Sequence, residues 1–319
     1  MMLRWCCWLA SLVLTTGLRV TTPGAPHEAG LVPEPGAHAS ESALRGDFSR
    51  SCALYPGKRV VLVTVNYNYL DFFRNWLHYA EAHLKDTEQL VVMAEDSAAQ
   101  GPLEAMRESS NVSFVVAEPG AEKPGAGADA NETSKEVPKP FNYGSKEYGS
   151  LVWRRPKYIL NLLRGGCTVL YVDIDTVWTA DPFLELGKKP ARDMYLISDD
   201  DPKGRGDTVY LCTCFMYLQP KRPVKQLMTQ WSQSWDGRAT KNQFRFNFVL
   251  KAMKSMVDFG VLPIDKFPPG VSLDQFPNAS IVHANWVNGH AAKKCVLTRR
   301  GLWAVAGQKD LESCAGRKR

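Results

Sequence analysis

Apolar residues in this chain cluster in short runs separated by polar punctuation, and the runs alternate between two periods. "KRVVLVTVNYNY", residues 58–69, is an almost unbroken β-branched run, the pattern of a strand covered on both faces as in a parallel sheet. "LDFFRNWLHYAEAHL" follows, with Leu70, Phe73, Leu77, Ala80 and Leu84 at helical spacing. "QLVVMAED" and "VSFVVAEP" then read as a second and a third strand. This strand–helix–strand order predicts an α/β fold with a mainly parallel, Rossmann-like sheet and helices on both faces. Further on, "SKEYGSLVWRRPKYILNLLRGG" predicts a helix or a broken pair of helices, disturbed at Pro156 and stopped by Gly165 and Gly166. It leads straight into the strand "TVLYV" and from there into Asp173 and Asp175. No internal repeat is present.

The pattern also divides the chain. Residues 1–20 carry Arg4, an apolar run from Trp5 to Leu14 and then small and polar residues, the layout of a signal peptide or a short signal-anchor. The run is shorter than the roughly 20 residues that span a typical bilayer, so an N-terminal membrane anchor is one of two outcomes and cleavage the other. Residues 21–57 are rich in Pro, Gly, Ala and acids and predict a flexible stem. The folded domain is expected over 58–319, with residues 118–140 as a mobile surface insertion.

Composition narrows the function classes. With 45% hydrophobic and 23% charged residues, the chain can bury a large core and is not a disordered protein. The net charge of +6 is scattered, with no basic stripe interleaved with aromatics, so nucleic acid is not an expected partner. Asn-X-Ser/Thr triplets at Asn111, Asn131 and Asn278 agree with a lumenal or secreted location. Of eight cysteines, Cys6 and Cys7 lie in the leader. The other six predict disulfides in an oxidising compartment, with Cys295 and Cys314 one candidate pair among many. No cysteine or histidine spacing is that of a zinc site, and Cys212-Thr213-Cys214 is too tight for one along the sequence.

The chemistry concentrates at "TVLYVDIDTVWTADP", residues 168–182. Residues i and i+2 of an extended segment point the same way, so Asp173 and Asp175 present two carboxylates to one place. The end of a parallel strand is where open α/β sheets bind ligands. Two uncompensated charges there would be costly, so a hard cation such as Mn²⁺ or Mg²⁺ is the natural partner. One reading is a haloacid-dehalogenase-like phosphatase with Asp173 as nucleophile. Against it, that motif normally opens its domain, and here more than a hundred globular residues precede it. The other is a transferase whose acidic pair holds a metal on the diphosphate of a nucleotide-sugar. That reading requires a C-terminal segment to return a His or Lys, and "IVHANWVNGHAAKK" offers His283, Gly289 and Lys293, with His290 the weaker imidazole.

Several blocks in order, "TVNYNYLDFFRNWL", "RRPKYILNLLRGGCTVLYVDIDTVWTADP", "SDDD", "CTCFMYL", "NQFRFN" and "HANWVNGHAAKK" with "GLW", resemble the nucleotide-diphospho-sugar transferases of glycosyltransferase family 77, which includes plant xylosyl- and arabinosyltransferases. The likeness runs from about Val60 to Trp303. It implies a GT-A type fold, a divalent metal, a UDP-sugar donor, transfer with retention and a glycan or glycoprotein acceptor, in the Golgi lumen or secreted. It further implies Thr64, Asn66, Glu95 and Asp96 around the nucleoside, and Asp173, Asp175 and His283 as metal ligands. Asp199 and Asp200 would face the donor sugar, Gln243 and Asp200 would serve catalysis, and Gly289 and Lys293 would meet the diphosphate. Plainer accounts compete at each position. Thr64 and Asn66 could end a strand, "SDDD" could be a solvated turn, Asn75 could fix local structure, and Trp178 and Trp286 read as packing residues rather than sugar platforms.

Two departures stand out against the family pattern. Cys214 occupies a position expected to hold a small glycine, which would narrow the donor pocket or trap a disulfide. Asn242-Gln243 stands where Asp-Gln is expected. Together they leave open a third reading, a non-catalytic glycan-binding relative.

Overall fold

The computed structural model describes residues 51–53, 57–118, 146–200, 209–235, 242–305 and Cys314. The leader, nearly all of the stem and the 118–140 insertion beyond Glu118 lie outside the described residues. In chain order the elements are β1 (Arg59–Val65), α1 (Leu70–Ala80), β2 (Glu88–Ala94), α2 (Ser97–Ser109), β3 (Phe114–Ala117), α3 (Lys146–Val152), α4 (Arg155–Arg164), β4 (Thr168–Val172) and β5 (Thr176–Trp178). They continue as α5 (Pro182–Gly187), β6 (Met194–Ser198), β7 (Leu211–Leu218), α6 (Arg222–Gln233), α7 (Asn242–Met253), β8 (Phe259–Val261), β9 (Ile281–His283) and α8 (His290–Arg299).

Seven strands form one sheet in the order β3-β2-β1-β4-β7-β6-β8. β3, β2, β1 and β4 are mutually parallel, β7 is antiparallel to both β4 and β6, and β8 is parallel to β6. The mainly parallel α/β sheet expected from the apolar runs is therefore present, with β7 reversed inside it. β1 is buried along nearly its whole length and β2 and β4 along all of theirs, which is why they read as continuous runs and not as alternation.

The pleat divides β1 between two cores. Val61, Val63 and Val65 face α1, where Phe72, Phe73 and Trp76 are fully buried, together with Leu103 of α2 and Leu297 of α8. Val60 and Leu62 face the other way, against Ile159 and Leu162 of α4, Leu227 and Trp231 of α6 and Phe246 of α7. Helices thus cover both faces. Trp178 packs edge-on to Trp76 at 5.5 Å between ring centroids and is a core residue, as expected of it. Asn75 donates to the Leu302 carbonyl at 3.0 Å and accepts from the Ala304 amide at 2.7 Å, tying α1 to the C-terminal segment.

α2 has no clear apolar period in the sequence because Gly101 and Pro102 interrupt it. It is started by Asp96, whose side chain caps the Ala99 amide at 2.8 Å. Pro156 does not break a helix. It lies in the first turn of α4, where a missing amide proton costs nothing, so the break falls before it at 153–154. Three disulfides are present among the described cysteines: Cys52–Cys167, Cys212–Cys214 and Cys295–Cys314. Among the described residues, no helix is long and apolar enough to cross a membrane.

Candidate functional site

β4 ends at Val172, and the chain turns at once: the Thr176 amide and hydroxyl both return to the Asp173 carbonyl, at 3.2 and 2.7 Å. β5 then pairs antiparallel with β9, in a two-stranded sheet apart from the main one, with Thr176 opposite His283. That pairing carries His283 back across 108 residues to Asp175, its Nε2 3.2 Å from Asp175 Oδ1. The Ala284 amide donates to the Asp175 carbonyl at 3.0 Å and fixes the crossing. Ligand atoms of Asp173, Asp175 and His283 lie within 4.8 Å of one another. His283 is buried, and its Nδ1 has no hydrogen-bond partner. Two carboxylates and an imidazole are a donor set for Mn²⁺ or Mg²⁺, and the three residues fit such an ion.

Cations hold the acids in this arrangement. Lys293 of α8 pairs with Asp175 Oδ2, and Arg155 of α4 reaches Asp173 Oδ1 at 3.1 Å. Burial alone disfavours the Lys293 ammonium, but the Asp175 carboxylate outweighs it and raises its pKa, so Lys293 stays charged. Burial likewise disfavours the Asp175 carboxylate. Lys293 and then His283 overcome that and hold its pKa below the usual carboxylate range. Arg155 also bonds the Thr213 carbonyl at 3.2 Å and lies over the Tyr171 ring at 4.6 Å, while the Tyr171 hydroxyl donates to Asp173 Oδ1 at 2.7 Å.

Residues 212–214 of β7 lie beside Asp173. Along β6, Leu196 pairs with Met216 but its neighbour Ile197 pairs with Cys212, so Thr213–Phe215 bulge out of that ladder. The bulge aims backbone groups at the site. The Cys214 carbonyl accepts from the Asp173 amide at 2.8 Å, and the Thr213 amide donates to Gln243 Oε1 at 3.2 Å. Gln243 Nε2 in turn donates to Asp199 Oδ2 at 2.8 Å. Asp199 Oδ1 accepts from Asn285 Nδ2 at 2.6 Å and from the Trp286 indole at 3.0 Å. Gly270, with no Cβ to collide with Asn285, packs against it and donates its amide to Asn285 Oδ1.

Other expected residues lie at the ends of β1 and β2. Thr64 Oγ1 is 3.4 Å from the Tyr171 hydroxyl, and Asn66 is buried with Oδ1 unpartnered. Glu95 is buried beside them, held by Tyr158 at 3.1 Å and Arg154 at 3.4 Å, with its Oε1 unpartnered. Burial pushes its carboxyl up to about 7 against the pull of Arg154 and Tyr158. Asp96 has both oxygens engaged by backbone, Oδ1 as the α2 cap and Oδ2 on the Tyr67 amide at 3.0 Å. Asp200 is engaged through one oxygen, Oδ2, which accepts from the Tyr210 amide at 2.7 Å. Gly289 precedes α8 with φ +87°, and a Cβ there would meet only open space. His290 binds Asp71 at 2.8 Å and packs on Tyr69 and Phe72, a link between α8 and α1.

One expectation is corrected and several contributors are new. Trp286 is not a packing residue: it is 56% exposed, has φ +62°, and its indole is bonded to Asp199. Arg154, Arg155, Tyr171 and Asn285 were not singled out from the sequence. The available signal for the arginines was two adjacent cations at a helix start beside Pro156, just upstream of the acidic strand.

Residues 85–297 match the model of a family described as nucleotide-diphospho-sugar transferase. The chain is 28% identical to an Arabidopsis thaliana UDP-D-xylose:L-fucose alpha-1,3-D-xylosyltransferase over 97% of its length and 89% of that protein's. It is 23% identical to a Dictyostelium discoideum UDP-galactose:fucoside alpha-3-galactosyltransferase over 51% of its length and 29% of that protein's. Among solved structures it is similar to a glycosyltransferase of Streptococcus pneumoniae, GlyE, at 12% identity and a TM-score of 0.47, over 80% of this chain and 62% of the other.

Proposed function

The chain belongs to the nucleotide-diphospho-sugar transferase family and is a glycosyltransferase, and we propose that it moves a single sugar from a UDP-sugar to a hydroxyl of a glycan or glycoprotein, with retention and with a divalent metal, in the secretory pathway. The observation that carries this reading is the convergence of Asp173, Asp175 and His283 beside Lys293. Phosphatase chemistry on Asp173 gives way to the family. The three disulfides support an oxidising compartment.

Asp173, Asp175 and His283 would hold a Mn²⁺ or Mg²⁺ ion, and the chemistry it would supply there is neutralisation of charge on the leaving nucleoside diphosphate, an effect worth several kcal/mol. Lys293 and the unpaired amides at the start of α8 supply further positive potential to phosphate, and the bare backbone at Gly289 lets it come close. Glu95, Thr64 and Asn66 line the ends of β1 and β2 where the nucleoside would lie, with the partnerless Asn66 Oδ1 and Glu95 Oε1 as its polar contacts. Asp199, Gln243 and Asn285 form a bonded set that would take the donor sugar hydroxyls. With no unpaired carboxylate assigned beside the anomeric carbon among the described residues, a front-face route is favoured, in which positioning and fixed electrostatics would carry the barrier.

The xylosyl and galactosyl relatives, both named for fucose or fucoside acceptors, support UDP-xylose or UDP-galactose as donor and a fucose-bearing glycan as acceptor. Release of UDP from each donor, measured with Mn²⁺ and a fucoside, tests this. Turnover is expected to fall by about a hundredfold or more in Asp175→Asn, equivalent to about 3 kcal/mol of transition-state stabilisation. An absence of turnover with every UDP-sugar and metal tried would favour the non-catalytic, glycan-binding reading.

A further inference from the structure

Two cysteines two residues apart have no zinc spacing along the sequence, yet the fold supplies the third group that such a site needs. Cys212 and Cys214 lie on the same side of the β7 bulge, and their sulfurs lie within 4.8 Å of a ring nitrogen of His283 and of each other. All three residues are at least 97% buried. His283 has one nitrogen on Asp175 and the other without a partner. The same imidazole therefore stands in two donor groups of opposite character: oxygen-rich with Asp173 and Asp175, sulfur-rich with Cys212 and Cys214.

We propose that Cys212, Cys214 and His283 form a second, soft-metal site for a thiophilic divalent cation such as Zn²⁺ or Cd²⁺, latent while the Cys212–Cys214 bridge is closed and available once it is reduced. Thiolates prefer such ions over Mg²⁺ or Mn²⁺, whereas the carboxylate pair prefers the reverse. Opening the bridge requires two electrons. With a water-soluble phosphine as reductant, the S–S bond breaks, the phosphorus takes the oxygen of one water to become a phosphine oxide, and that water's two hydrogens end on the two sulfurs. Binding of the cation then forms two metal–thiolate bonds and releases both thiol protons. Because one histidine is common to both groups, occupancy of the two sites is coupled through His283, and the closed bridge leaves His283 to the oxygen-rich site. The soft site itself does not depend on the transferase reading. Only its consequence for the hard site does.

The test uses the full chain with Cd²⁺ alone as probe, before and after phosphine treatment. The reduced protein is expected to gain a thiolate-to-cadmium charge-transfer band in excess of that of an equally reduced Cys212→Ser/Cys214→Ser double variant, and the oxidised protein to show no excess over the oxidised double variant, which shares Cys6 and Cys7. Mass spectrometry after alkylation with iodoacetamide identifies the sulfurs: cadmium is expected to protect Cys212 and Cys214 together, with that protection lost in His283→Ala and in the conservative His283→Gln. A band equal to that of the double variant would overturn the proposal. So would protection that does not depend on His283, which is also what a chain unfolded by reduction would show.

Discussion

At Glu95 burial and charge oppose each other, and burial prevails. Its ordinary pKa is 4.5, and in the fold desolvation raises it to about 7 even though Arg154 and Tyr158 favour the anion. The folded state therefore holds the proton more tightly than the unfolded chain between those values. The linked stability is fully present below pH about 4.5 and is lost as pH rises through about 7. Two and a half units correspond to about 3 kcal/mol. Glu95→Gln should flatten this dependence and, at pH 8, leave the protein more stable than the wild type. Urea midpoints at pH 5 and pH 8 for both proteins check it, and parallel pH dependences would show that another group carries the effect.

Among the elements, α2 and α8 show how a terminus can serve structure or ligand. Asp96 binds the Ala99 amide at the start of α2 and also the Tyr67 amide, so Asp96→Ala should cost about 1–2 kcal/mol from the lost cap alone. Gly289 opens α8 at φ +87° with nothing opposite its absent side chain. Gly289→Ala pays for that conformation, φ +87° with ψ 149°, about 1–3 kcal/mol, and also places a methyl where phosphate would approach. Denaturant midpoints and UDP titration separate the two: Asp96→Ala should lower stability more than it weakens UDP, and Gly289→Ala the reverse. Much of this scale was legible beforehand. β1, β2 and β4 are buried on both faces and so announce themselves as runs, and α1 shows its period because one face meets the sheet. α2 was hidden because Gly101 and Pro102 erase its pattern. β5 and β9 are three residues each, too short for periodicity, although their pairing is what delivers His283 to Asp175.

For the whole molecule, the legible part of the site was its acidic pair and the set of candidate partners. What could not be read was which partners the fold engages elsewhere. Asp96 has both oxygens and Asp200 one oxygen on backbone amides, whereas Arg155 and Asn285, quiet in the sequence, stand at the acids. Asn285 reaches Asp199 across 86 residues and His283 reaches Asp175 across 108, whereas Asp96 and Asp200 depend on amides 29 residues away or fewer and Arg155 on the direction in which a helix start faces. The Cys52–Cys167 bridge closes a loop of similar scale, with a separation of 115 residues, and joins the segment before β1 to the start of β4. Cys52→Ser/Cys167→Ser is expected to lose about 2–5 kcal/mol of stability while leaving the metal-site residues in place. Guanidinium unfolding measures the loss, and UDP affinity is expected to be retained.

On the proposed reading, Asp173, Asp175 and His283 hold a divalent ion on which a nucleoside diphosphate binds. Thermal unfolding of the protein with Mn²⁺, with and without UDP, tests it most directly. UDP at about 100 times its dissociation constant should add about 2.7 kcal/mol, raising Tm only when Mn²⁺ is present and not in Asp173→Asn. An equal rise in Asp173→Asn, or a rise that persists under chelation, would contradict the assignment of the metal site.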